Sequence, residues 1–264
     1  MDKTSIIGVI LGVAAIGTGM VLKGVSPSVL VNPAAILIIL AGTAATVVIA
    51  FPLSEIKKIP KLFKILFTEQ HLMSTEEIIR LFSDWAQVAR KEGLLALETR
   101  VDEIDDPFLR NGLSLAVDGQ SAEYIRDVLS EEIDAMEERH MMGAAIFAQA
   151  GTYAPSLGVL GAVLGLIAAL GNMSDTKVLG HAISAAFVAT LLGIFTGYVL
   201  WHPFSNKLKR KSKNEVKVKE IMLEGILSIL AGESPHVIEQ KLSSYLPNEE
   251  RKNLVEESSV AGNE

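Results

Sequence analysis

The chain has 264 residues, 49% of them hydrophobic, a mean hydropathy of +0.36 and a formal net charge of -7. The acidic balance argues against nucleic acid as a partner, and the absence of cysteine excludes disulfides and thiolate metal sites. Four stretches, 4–22, 24–54, 141–174 and 178–206, contain no Asp, Glu, Lys or Arg. Each is long enough for the ~20 apolar residues of a membrane-crossing helix. The expected fold is an all-α integral membrane protein with four transmembrane helices in two hairpins.

In chain order, residues 1–52 form the first transmembrane hairpin, with spans at about 6–22 and 33–51. Met1-Asp2-Lys3 is a poor n-region and residues 20–23 are a poor cleavage site, so the first span is expected to be retained. Gly8 and Gly12 make a small-xxx-small pair that admits close helix approach. Pro33 suits the first turn of span two, where Ala41, Gly42, Ala45 and Thr46 offer a second small face. Residues 55–67 then alternate Lys57, Lys58, Lys61 and Lys64 with Ile, Leu and Phe. That pattern predicts an interfacial segment with lysines among lipid headgroups.

Residues 53–148 read as a helical cytoplasmic insert. Between 74 and 138 it holds seventeen Asp/Glu against six Lys/Arg. Ser74 and Glu77 make a capping box, and Ile78, Leu81, Phe82, Trp85 and Val88 recur at helical spacing. Gly93 breaks that helix. Ser121 opens another that nothing interrupts before the membrane, so it is expected to run into span three as one rod.

The second hairpin is 149–202, with spans at about 149–173 and 179–201. Pro155 lies inside span three, where a proline removes a backbone hydrogen bond and bends the helix. Gly158, Gly161, Ala162, Gly165 and Ala169 face one way on span three. Ala182, Ala185, Ala186, Ala189, Gly193 and Gly197 do the same on span four. These faces predict tight contact with protein, whereas spans one and two look lipid-facing. The tail, 203–264, begins basic, becomes an amphipathic helix and ends in a polar stretch at 249–264 that is expected to be disordered.

Basic residues near the span ends set the orientation. Lys23 and Lys177 stand alone at the hairpin tips. Four lysines follow span two, and Lys207, Lys209, Arg210, Lys211, Lys213, Lys217 and Lys219 follow span four. Both termini and the insert are therefore expected in the cytoplasm. Enzyme motifs are missing, so no catalytic residue, metal or cofactor is assigned. The hydroxyls of Ser184 and Thr190 are open to two readings: bonded back to their own helix, or lining an ion path. A cation crossing a bilayer needs polar or ionisable groups on its way. A chain without intramembrane carboxylates either moves nothing or borrows its carrier group from a partner helix packed on the small faces of spans three and four.

Several segments together carry a family resemblance: Asn32-Pro33-Ala34-Ala35-Ile36-Leu37-Ile38, Ala89-Arg90-Lys91-Glu92-Gly93-Leu94-Leu95-Ala96-Leu97-Glu98, Asp118-Gly119, Ala154-Pro155-Ser156-Leu157-Gly158-Val159-Leu160-Gly161 and Ala189-Thr190-Leu191-Leu192-Gly193. On these the chain resembles the MotA stator subunits of the bacterial flagellar motor, nearest the Bacillus-type form. The resemblance implies a plasma-membrane homo-oligomer, a ring thought to be of five. Its partner would be a dimer of MotB-like single-span subunits carrying a membrane aspartate, and torque would be delivered to the rotor protein FliG. It places Pro155 and Pro203 at coupling positions, Thr190 beside the partner's aspartate, and Arg90 and Glu98 at the rotor. Sodium-driven relatives usually carry threonine where this chain has Ala162, so protons are the expected ion. A TolQ- or ExbB-like energiser of an envelope system and a non-conducting membrane scaffold are the alternatives.

Overall fold

The computed structural model describes residues 2–101, 104–171, 175–246 and 251. Among them there is no strand. Apart from Arg251, the polar stretch at 249–264 lies outside the described residues, as does the outer end of the third predicted span at 172–173.

Four helices are long and apolar enough to cross a membrane: Lys3–Leu22, Pro33–Ala50, Ala122–Leu170 and Thr176–Leu230. The third carries the insert into the membrane without a break over 49 residues, with Pro155 inside it. The fourth carries the last span into the tail over 55 residues. The chain divides into two compact units, one of 1–70 with 139–211 and one of 71–138 with 212–264.

In the first unit, the first span has no buried residue. Of its glycines, Gly12 meets the Val199 side chain, while Gly8 has open space around it. The second span packs through Ala35, Ile39, Thr43 and Val47, a strict four-residue stripe. Ala41 and Ala45, expected on that face, are exposed. At ~100° per residue, Ala41 and Ala45 lie on the side opposite Thr43 and Val47; a wide π-helical turn occupies Leu37–Ala41 just before them.

The lysine-bearing segment forms a helix at Ile59–Phe67. Its apolar side is taken up by protein: Leu66 is fully buried with Ala144, Phe147 and Leu208, and Leu62, Phe63 and Trp201 pack around them. Phe63 meets Phe147 edge-to-face at 5.1 Å, and Phe147 stacks on Trp201 at 6.1 Å. The apolar side of the segment thus packs on the span ends, and Lys57, Lys58, Lys61 and Lys64 remain exposed.

The second unit is a helical domain with one core. The helix Thr75–Glu92 starts in the capping box, with the Ser74 amide donating to Glu77 at 2.7 Å and the Glu77 amide to Ser74 Oγ at 3.2 Å. It ends at Gly93, whose φ of +89° only glycine adopts without strain. Phe82, Trp85, Leu109, Leu113, Ile125 and Leu129 are buried together with Ile221, Met222 and Ile226 of the tail. The tail helix is therefore part of the insert's core. Gly225 makes room for the Phe82 ring, which lies 2.6 Å from where a Cβ would sit. Asp106 caps the helix Pro107–Val117 and binds Lys219 through both oxygens at 2.6 and 2.7 Å.

Candidate functional site

Spans three and four are zipped along their small residues. A Cβ on Gly193 would lie 2.7 Å from the Ala154 carbonyl oxygen and 2.8 Å from Gly158 Cα. One on Gly158 would meet the Ala189 carbonyl at 2.9 Å and Thr190 Cα at 3.4 Å. Gly161 faces Ala189 and Gly165 faces Ala186, both at 3.0 Å. This is backbone-to-backbone contact, available only to residues without bulk. Gly158, Gly161, Gly165, Ala186, Ala189 and Gly193 of the expected small faces are thus spent on contact between the two spans, while Ala162, Ala182 and Ala185 stay half-buried. The seam leaves Val159, Val163 and Ile167 of span three and Phe187 and Ile194 of span four exposed.

Pro155 sits at the inner end of this seam. Having no N–H, it leaves the Gly151 carbonyl without its helical donor. That oxygen would be 2.8 Å from a Cβ on Gly197, and the proline ring itself 2.8 Å away. The freed carbonyl and the proline both press on Gly197, which lies in a second wide turn, Thr196–Trp201. Two irregularities on neighbouring helices therefore touch. Wide turns of this kind concentrate at functional sites.

Thr190 lies one helical turn from Gly193 on the same seam and is half-buried. Its hydroxyl donates back to the Ala186 carbonyl at 3.4 Å. That bond is at the weak end of the range, unlike the 2.8 Å bond from Thr196 to Leu192. The Thr190 hydroxyl costs little to redirect. Ala162, also half-buried, is one turn outward from Gly158. The structure thus brings Pro155, Thr190 and Ala162 to one seam. Pro203 is separate: it is exposed and follows the wide turn directly. The extra residue in that turn relieves the clash its ring would make with the carbonyl of Val199. Arg90 and Glu98 are exposed on either side of Gly93, and neither forms an ion pair among the described residues. The two wide turns escaped the sequence reading. Pro203 at a span end was the available signal for the second, and nothing marked the first.

Residues 100–221 match the MotA/TolQ/ExbB proton channel family. The chain is 66% identical over all 264 residues to Motility protein A of Bacillus subtilis, covering 98% of that protein. The chain belongs to the MotA family. It is also 36% identical to Motility protein A of Helicobacter pylori, across 97% of this chain and 100% of that one. Among solved structures, a chain of the flagellar MotAB stator complex from Bacillus subtilis superposes with a TM-score of 0.92 at 68% identity, covering 96% of this chain and 99% of that chain. A chain of C. jejuni MotAB does so with a TM-score of 0.89 at 33% identity, covering 94% and 97%. The Motility protein A and MotAB matches run through the first hairpin and the insert as well as the span three and four core, which favours MotA over the TolQ and ExbB branches.

Proposed function

We propose that this MotA-family chain is the stator subunit that surrounds a MotB-like partner in the bacterial flagellar motor and turns proton flow into torque. It is a multi-pass protein of the plasma membrane and acts as a channel component. It performs no catalysis, and its termini and insert lie on the cytoplasmic side, where the basic span ends place them. One observation carries the reading: a tight seam without any carboxylate holds a loosely bonded threonine, Thr190, against Gly158, and about two turns inward on the same seam a proline presses on a wide turn at Gly197. Such a seam supplies hydroxyl and backbone oxygens but no group that binds and releases a proton. The partner's membrane aspartate supplies that group. Held in a dry groove, an aspartate has its pKa raised above the ~3.9 of the free side chain, so it loads from outside and discharges inward. One charge falling through the membrane field releases ~2.3 kcal/mol per 100 mV, enough to shift helices between two packings.

Pro155 and Pro203 are the coupling positions, and Ala162, lacking a hydroxyl, favours protons over sodium. Arg90 and Glu98 engage the rotor protein FliG by steering and register rather than by strong pairing. Reversing those charges with Arg90→Glu and Glu98→Lys is expected to abolish or sharply slow rotation, scored by swimming and tethered-cell speed, while membrane assembly with the partner is unchanged. Normal swimming in both variants would remove the rotor role from these two residues.

A further inference from the structure

The basic run after span four is not a single population. Lys209 and Arg210 are exposed, whereas Lys211 is only 7% exposed and Lys207 turns inward to the same carboxylate. Lys207 Nζ lies 2.8 Å from Asp2 Oδ2, and it donates to Asp2 Oδ1 at 3.1 Å and to Thr4 Oγ1 at 2.8 Å. Lys211 Nζ lies 3.3 Å from Asp2 Oδ2 and donates to the carbonyls of Ile65 and Thr68 at 2.6 Å each. Asp2 also caps the first span, accepting from the Ser5 amide at 3.3 Å and the Thr4 hydroxyl at 2.7 Å. Its own amide donates to the Phe67 carbonyl at 2.9 Å. Burial pushes the Asp2 carboxyl up, but hydrogen bonds from Lys207, Thr4, Ser5 and Lys211 outweigh it and hold the group well below the usual carboxylate range.

Three elements meet in this knot: the start of the first span, the end of the helix Ile59–Phe67, and the tail-ward extension of span four. Capping one helix needs a single carboxylate and no lysine. Two inward lysines on one carboxylate are costly to desolvate and are better explained by what they hold. Pro203, Lys207 and Lys211 follow one another at four-residue steps on one helix stripe, directly after the wide turn Thr196–Trp201. The extension therefore has a deformable turn on one side and a fixed point on the other.

We propose that Asp2 is a positioning residue for energy coupling. It clamps the first turns beyond Pro203 to the first span and to the helix Ile59–Phe67. A displacement at the level of Thr190 is then passed along the helix instead of being absorbed at Thr196–Trp201. The proposal rests on the stator reading given above.

The test uses the full complex with its partner, in cells and in vesicles. Asp2→Asn keeps the side chain's shape and removes its charge. Assembly with the partner and proton uptake are expected to stay at wild-type levels. Rotation per unit of proton flux is expected to fall on the order of fivefold or more, the lower end of coupling between linked sites. Asp2→Glu, which keeps the carboxylate, is expected to recover most of it. Asp2→Asn rotating as wild type at equal flux would overturn the proposal. So would a loss of assembly, flux and rotation in equal proportion, which is what a merely structural contact gives. A wild-type complex that takes up no protons would bring down the stator reading itself, whatever Asp2 does.

Discussion

At Gly193 the residue is dictated by main chain, not side chain. The atoms that would meet a Cβ there are the Ala154 carbonyl oxygen and Gly158 Cα, and neither can step aside as a flexible side chain does. Gly193→Ala is expected to force the two spans apart and to cost about 1–3 kcal/mol, the usual range for overpacking. Gly8→Ala, at a glycine with nothing within 4 Å, is expected to stay within about 0.5 kcal/mol of wild type. Thermal unfolding of both variants in detergent separates the cases, and equal melting would mean the seam does not hold the spans. Asp2 belongs to this scale as well. Its cap on the first span is a contact within one turn, but nothing local in the sequence points to Lys207, 205 residues away.

Among the elements, the helix Thr75–Glu92 shows how local sequence fixes structure. Ser74→Ala removes the side-chain cap and is expected to cost about 1 kcal/mol, read as faster hydrogen exchange of the helix's first turn in the intact chain. Glu77 accepts the Ser74 backbone N–H and then its side-chain hydroxyl, which holds its carboxyl below the ordinary range. A carboxylate depressed in the folded state stabilises above its unfolded pKa of ~4.3 and loses that contribution as pH falls through the folded value. The first turn should therefore exchange at a steady relative rate from neutral pH to about 5 and loosen below that; loosening that begins near neutrality would contradict the assignment. The capping box, the Gly93 break and the uninterrupted helix from Ala122 were all readable, because each depends on neighbours in sequence. Of the small face expected on span two, Gly42 and Thr46 are half-buried while Ala41 and Ala45 are exposed, because at ~100° per residue the two alanines point away from Thr43 and Val47. No residue type in Leu37–Ala41 announces the wide turn there. What covers the apolar side of the helix Ile59–Phe67 was not legible in the sequence. An amphipathic pattern states that one side is to be covered, not whether lipid or Phe147 and Leu208 will cover it.

Taken whole, the molecule separates what charge placement reveals from what only packing reveals. Four spans follow from the absence of Asp, Glu, Lys and Arg, since an unpaired charge in the bilayer is expensive. That Thr190, Pro155 and Ala162 share one seam depends on which small face meets which, and composition leaves that open. The roles proposed for these residues rest on resemblance to MotA, not on their spacing. The account's central claim is that this chain supplies a seam of small residues and hydroxyls while its partner supplies the proton-binding carboxylate. The direct measurement is proton uptake into voltage-clamped vesicles holding this chain alone or the chain with its aspartate-bearing partner. Uptake is expected only with the partner, and is expected to vanish when the partner's aspartate becomes asparagine. Equal uptake by the chain alone would contradict the claim.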